Sequence, residues 1–170
     1  MEKVKYFKPS IIRLLCNNPG PFTLQGSNIY LIGKGAGRTL IDSGGGDVGD
    51  IDMIMEVLEK EKAFISRVLI THSHHDHIGG LSSILQNFPS ATVHIHKNFL
   101  SLLSFKTEKI ENNEIFEIDE ELKIEAIYSP GHLDDHIVYF EHRNGILFTG
   151  DIVLGHGSSI VNNVTHYLNS

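Results

Sequence analysis

Four histidines and an aspartate crowd six residues of the run THSHHDHIGG: His72, His74, His75, Asp76 and His77. Kept neutral, so many imidazoles in one loop would compete for few hydrogen-bond partners; protonated, they would repel one another. A divalent cation removes both difficulties. His72 and His74 stand two apart, directly after the apolar Val68-Leu69-Ile70. At the end of an extended strand that spacing turns both imidazoles the same way, toward one metal. Asp76 and His77 follow where helical spacing begins, and the turn carries them to a neighbouring position, so the loop suits two adjacent metal ions. His75 is out of phase and is expected to face away. Any one of these residues alone reads as a solvated loop histidine; five titratable groups together do not.

Two later stretches could complete such a centre. His132 in SPGHLDD and Asp151 in ILFTGD each close a β-like run. Singly, a histidine after Pro-Gly reads as a turn residue and an aspartate after glycine as a helix cap. Beside the cluster, each strengthens the other as a ligand.

The elements that must position these residues alternate. IIRLLC, SNIYLIG, RTLIDSG and SRVLITH read as strands. Between the last two, Asp47 to Lys62 carries Ile51, Ile54, Met55 and Leu58 at helical intervals, predicting an amphipathic helix on a sheet, with Met53 and Met55 as packing. IGGLSSILQNF is again helical and stops at Pro89, and ATVHIH alternates as a strand. Phe99 to Glu120 reads as an exposed loop or hairpin. LKIEAIYSPGH, DHIVYFEH and NGILFTGD predict three further strands, the last two joined through Asn144-Gly145. GKGAG, Gly33 to Gly37, lacks the ending of a phosphate loop and lies between two strands, so it reads as a hairpin turn. No repeat or linker appears, and residues 1–170 read as one domain.

Composition bounds the rest. The 170 residues are 41% hydrophobic and 21% charged, a balance that can bury a core. Fourteen basic against twenty-one acidic residues give a formal charge of −7, so no global basic field exists to hold nucleic acid. No uncharged apolar run approaches the roughly eighteen residues of a membrane span. The lone Cys16 ends an apolar strand and is expected to be buried and inert, in a reducing compartment.

The order THSHHDHIGG, then PGH, then TGD resembles the metal motifs of the metallo-beta-lactamase superfamily. That resemblance implies an α/β fold, an αββα sandwich with a two-zinc site at one edge. It implies that His72, His74 and His132 hold the first ion, that Asp76 and His77 hold the second, and that Asp151 bridges them. Asp42 in LIDSG matches the first family motif and would support the site from beneath, although Asp-Ser-Gly also reads as a plain turn. Within the superfamily, NNPGPFTLQGSNIYLIG, PGHLDDHIVY and GDIVLGHGSSIVNNVTHYLNS resemble the beta-lactamase-like protein 2 group, mitochondrial zinc endoribonucleases. Leu133, His156 and the absence of tryptophan from the cluster depart from that group's pattern. The group also runs on for about another hundred residues, with a last ligand in PGHG, so the C-terminal part of the second half is expected to be missing. His156 is not assigned to the metal.

The resemblance thus implies cleavage of single-stranded RNA by a metal-activated hydroxide, with Asp76 as proton acceptor and the mitochondrial matrix or the cytoplasm as compartment. No DNA preference and no membrane partner is expected, and oligomeric state is left open. The same motifs equally allow hydrolysis of a thioester or lactam, as other branches do. A third alternative is a truncated, non-catalytic chain. His94, His96, His136, His142 and His166 are read as surface or strand residues.

Overall fold

In the computed structural model of the protein, residues 2–8, 10–98 and 106–170 are described. The first part of the stretch from Phe99 to Glu120 lies outside them. The chain forms two compact units, Met1–Ile70 with His74–Val93, and Thr71–Ser73 with His94–Ser170.

In the first unit, β1 (Val4–Lys8), β2 (Ile11–Leu15), β3 (Asn28–Ile32) and β4 (Gly37–Ile41) pair antiparallel in that order. Gly33 to Gly37 is indeed the turn region between β3 and β4. Next, β5 (Phe64–Leu69) lies parallel to β4, and a parallel neighbour requires a crossover. Helix α1 (Val48–Glu61) supplies it. It buries Ile54, Val57 and Leu58, with Asp50, whereas Met55 is exposed. The buried stripe is therefore rotated by about one residue from the expected face, taking in Asp50 and Val57 in place of Ile51 and Met55. The core is built from β2 to β5, where Ile12, Leu14, Ile29, Leu31, Ile32, Leu40, Ile65, Val68 and Leu69 have no solvent exposure. Cys16 is buried there as a free thiol. Burial, and then the carboxylate of Asp50, push its pKa well above the ordinary thiol range.

The helical run after the cluster is broken into α2 (His75–Ile78) and α3 (Leu81–Asn87) by Gly79-Gly80. Strand β6 (Thr92–His96) follows, and from His94 onward it pairs in parallel with β7 (Glu108–Ile110).

The second unit holds an antiparallel sheet of order β11-β10-β9-β8, from β8 (Glu114–Glu117), β9 (Lys123–Tyr128), β10 (Ile137–Glu141) and β11 (Ile146–Phe148). Its inward residues, Phe116, Ile124, Ala126, Ile137, Tyr139 and Phe148, are buried. The β10–β11 connection pairs Glu141 with Ile146, so it is a four-residue loop rather than a two-residue Asn-Gly turn. Glu141 causes the difference: its carboxylate accepts from the backbone N–H groups of Arg143 and Asn144, and only Gly145 takes a positive φ. The unit ends in α4 (Val164–Asn169). Among the described residues no helix is long and apolar enough to cross a membrane.

Candidate metal centre

Three residues of the second unit converge from separate strand ends: His72 after β5, His132 after β9 and Asp151 after β11. His72 Nε2 lies 3.9 Å and His132 Nε2 3.6 Å from Asp151 Oδ2. Both are beyond hydrogen-bonding distance, and both rings are almost wholly buried. His74, two residues along from His72, belongs to the first unit.

The orientation of His132 is settled by its partner. Its Nδ1 lies 2.7 Å from the backbone carbonyl of Ile160, which can only accept, so Nδ1 carries the proton and Nε2 the lone pair. The Asn162 amide donates to the carbonyl of His132 at 2.7 Å, tying the same loop a second time. His72 Nδ1 lies 3.0 Å from the hydroxyl of Thr71. The donor set is thus imidazoles and one carboxylate, with outward nitrogens occupied and inward ones facing the carboxylate. Ligands sharing a metal at about 2.0–2.2 Å stand roughly 3–4 Å apart, so the residues fit a divalent cation.

In the first unit, Asp42, His77, Asp76 and Ser27 form a chain. His77 Nδ1 lies 2.7 Å from Asp42 Oδ2, and His77 Nε2 3.3 Å from Asp76 Oδ2. Ser27 Oγ donates to the same Asp76 oxygen at 2.6 Å. Burial raises the pKa of Asp76, but the hydrogen bond and charge of His77 and the Ser27 hydroxyl outweigh it and hold the carboxyl well below the usual range. Asp42 adopts φ 59°, a left-handed conformation that aspartate tolerates, which turns the chain off β4 and beneath His77. The backbone N–H and hydroxyl of Ser43 both donate to the carbonyl of His77, at 2.7 and 2.9 Å. A β-carbon on Gly80 would lie 2.1 Å from the Ser43 carbonyl oxygen, so the Gly-Gly after the cluster is what lets the two loops meet.

His75 is exposed, as are His156 and His166. His136 is not the surface or strand residue that the sequence suggests. It precedes β10, has no solvent exposure, stacks on His72 at 4.8 Å between ring centroids, and accepts from the backbone N–H of Asp151 at 3.1 Å. The one sequence signal was its spacing, four residues after His132 at the start of a strand.

A family model described as the metallo-beta-lactamase superfamily matches residues 22–165. The chain belongs to that superfamily. The mixed α/β fold implied by the metal motifs is found. A beta-lactamase domain protein from Burkholderia ambifaria superposes with a TM-score of 0.82 at 18% identity, over 98% of this chain and 64% of that one, a likeness of fold. Among curated relatives, an atrochrysone carboxyl ACP thioesterase of Passalora fulva is 35% identical over 100% of this chain and 51% of its own length. The lactamase-like protein nscB of Aspergillus fumigatus is 39% identical over 94% of this chain and 47% of its own. The chain spans about half the length of these curated relatives. Their names do not support the narrower resemblance to beta-lactamase-like protein 2.

Proposed function

We propose that this metallo-beta-lactamase superfamily chain carries the metal centre of a thioester hydrolase. The observation behind the metal reading is the pair of buried imidazoles of His72 and His132 turned toward the half-buried carboxylate of Asp151. These three, joined by His74 as the resemblance implies, would hold one divalent cation, zinc by the same resemblance, which also assigns Asp76 and His77 to a second. When bound, such cations polarise a carbonyl and lower the pKa of water. Hydrolysis joins the water oxygen to the acyl carbon, breaks the C–S bond and leaves the proton to the departing thiolate. Asp76 is assigned that proton transfer, from water to the leaving group, and Ser27 holds its carboxylate in place. Asp42 and Ile160 fix the rings of His77 and His132, so the donor atoms need not reorganise.

Cleavage of the thioester of an acyl carrier protein is preferred to cleavage of single-stranded RNA for two reasons. A relative matched along this whole chain is named as a thioesterase of that kind. A formal charge of −7 also disfavours an RNA backbone. The test is thiol release from an acyl-carrier-protein thioester and, in parallel, fragmentation of single-stranded RNA, with metal-loaded protein and His132→Ala. Metal-dependent thiol release absent from the variant is expected. Metal-dependent RNA fragments without thiol release would overturn the thioester reading.

A further inference from the structure

We propose that His136 is a positioning residue of the metal centre, fixing the carboxylate of Asp151 and the ring of His72. The inference rests on the metal-centre reading above and is independent of the substrate.

His136 sits where the three strand ends carrying His72, His132 and Asp151 are tied together. Its carbonyl accepts from the N–H of Ser129, and its own N–H donates to Leu133, so it closes the loop that carries His132. The next residue, Ile137, donates to the carbonyl of Thr71, beside His72. The imidazole ring stacks on His72 with 26° between planes and meets His132 edge-on, at 6.0 Å. Nε2 then receives the backbone N–H of Asp151. That N–H can only donate, so Nε2 keeps its lone pair and a neutral ring carries its proton on Nδ1.

Gly150 makes this approach possible. Its φ is +48°, and a β-carbon there would lie 2.6 Å from His136 Nε2 and 2.9 Å from Cε1. The turn that presents Asp151 is thus shaped against the imidazole, and removing the acceptor frees the backbone that aims the carboxylate. A purely packing role would need the ring's volume but not its lone pair.

Glutamine and asparagine separate these roles, because the glutamine oxygen reaches the position of Nε2 and the asparagine amide stops near Nδ1. Metal-free full chain, as wild type, His136→Gln, His136→Asn and His136→Phe, would be titrated with zinc against a chromophoric chelator. Cobalt(II) absorption spectra and thermal midpoints of the metal-free proteins would be recorded in parallel. Affinity is expected to fall about 10- to 100-fold in the Asn and Phe variants, with an altered cobalt spectrum, and to stay close to wild type in the Gln variant. Wild-type affinity and spectrum in the Asn and Phe variants would overturn the proposal, as would a Gln variant as weak as Asn. If Phe fails to fold, the Gln–Asn pair decides; if those fail too, Gly150→Ala does, and unchanged affinity there overturns the proposal. Wild type that binds no metal would overturn the centre itself and this role with it.

Discussion

The imidazoles of His72 and His132 around Asp151 and the chain Asp42–His77–Asp76–Ser27 are built from the same residue types and held in different ways. Around Asp151 the rings are held from outside, by Ile160, Thr71 and His136, while the inward atoms stand 3.6 and 3.9 Å from the carboxylate, too far to bond it. In the other group Asp42 and Ser27 make contacts of 2.7 and 2.6 Å, and even the longest step, His77 to Asp76, is 3.3 Å. The first arrangement is oriented by its neighbours, with its imidazoles turned toward the carboxylate at more than hydrogen-bonding distance. The second contributes stability by itself, as a buried and mutually paired set. Proximity of histidines and aspartates is therefore a weaker sign of a metal position than the placement of the atoms that hold them.

Removing a member of the first group is expected to affect metal retention most, and removing Asp42 or Ser27 from the second to affect metal-free stability. The largest effect is expected for His132→Ala, which should lose about one metal equivalent by elemental analysis, with affinity reduced beyond the roughly 100-fold typical of supporting residues. Next comes metal itself: at a hundred times its dissociation constant zinc should stabilise wild type by about 2.7 kcal/mol in thermal unfolding, reversed by chelator and reduced in His132→Ala. Asp42→Ala leaves the buried Nδ1–H of His77 without its acceptor and should cost about 3 kcal/mol in urea unfolding of metal-free protein. Equal stability of that variant and wild type would break the comparison. Gly80→Ala drives a β-carbon against the Ser43 carbonyl and should cost about 2 kcal/mol by the same measurement. Ser27→Ala, removing one hydrogen bond to Asp76, should cost about 1 kcal/mol and sharpens the scale at its lower end.

Much of this was legible from residue types and spacing. The strands β2 to β5, α1, and the three-part order of cluster, PGH and TGD follow from apolar periodicity and local motifs, which neighbouring residues carry by themselves. Periodicity does not mark the charged β1 as a strand, and it leaves β7 and β8 open between loop and hairpin, because their pairing energy comes from partners distant in sequence. His136 escaped for a related reason: a histidine that faces a backbone N–H from another loop has the same local sequence as one that faces water. Gly79-Gly80 carries helical spacing in the sequence, and its need for glycine comes from the close approach of Ser43, distant along the chain.

The sequence by itself thus determined which side chains could bind metal, the strand ends that carry them and the superfamily to which the chain belongs. Tertiary structure alone decided which donors converge on Asp151, which nitrogen of His132 bears its lone pair and what His136 touches. Ligand chemistry is a property of residue types and short spacing. Orientation depends on hydrogen-bond partners such as Ile160 and Gly150-Asp151, brought close only when non-adjacent strands pair.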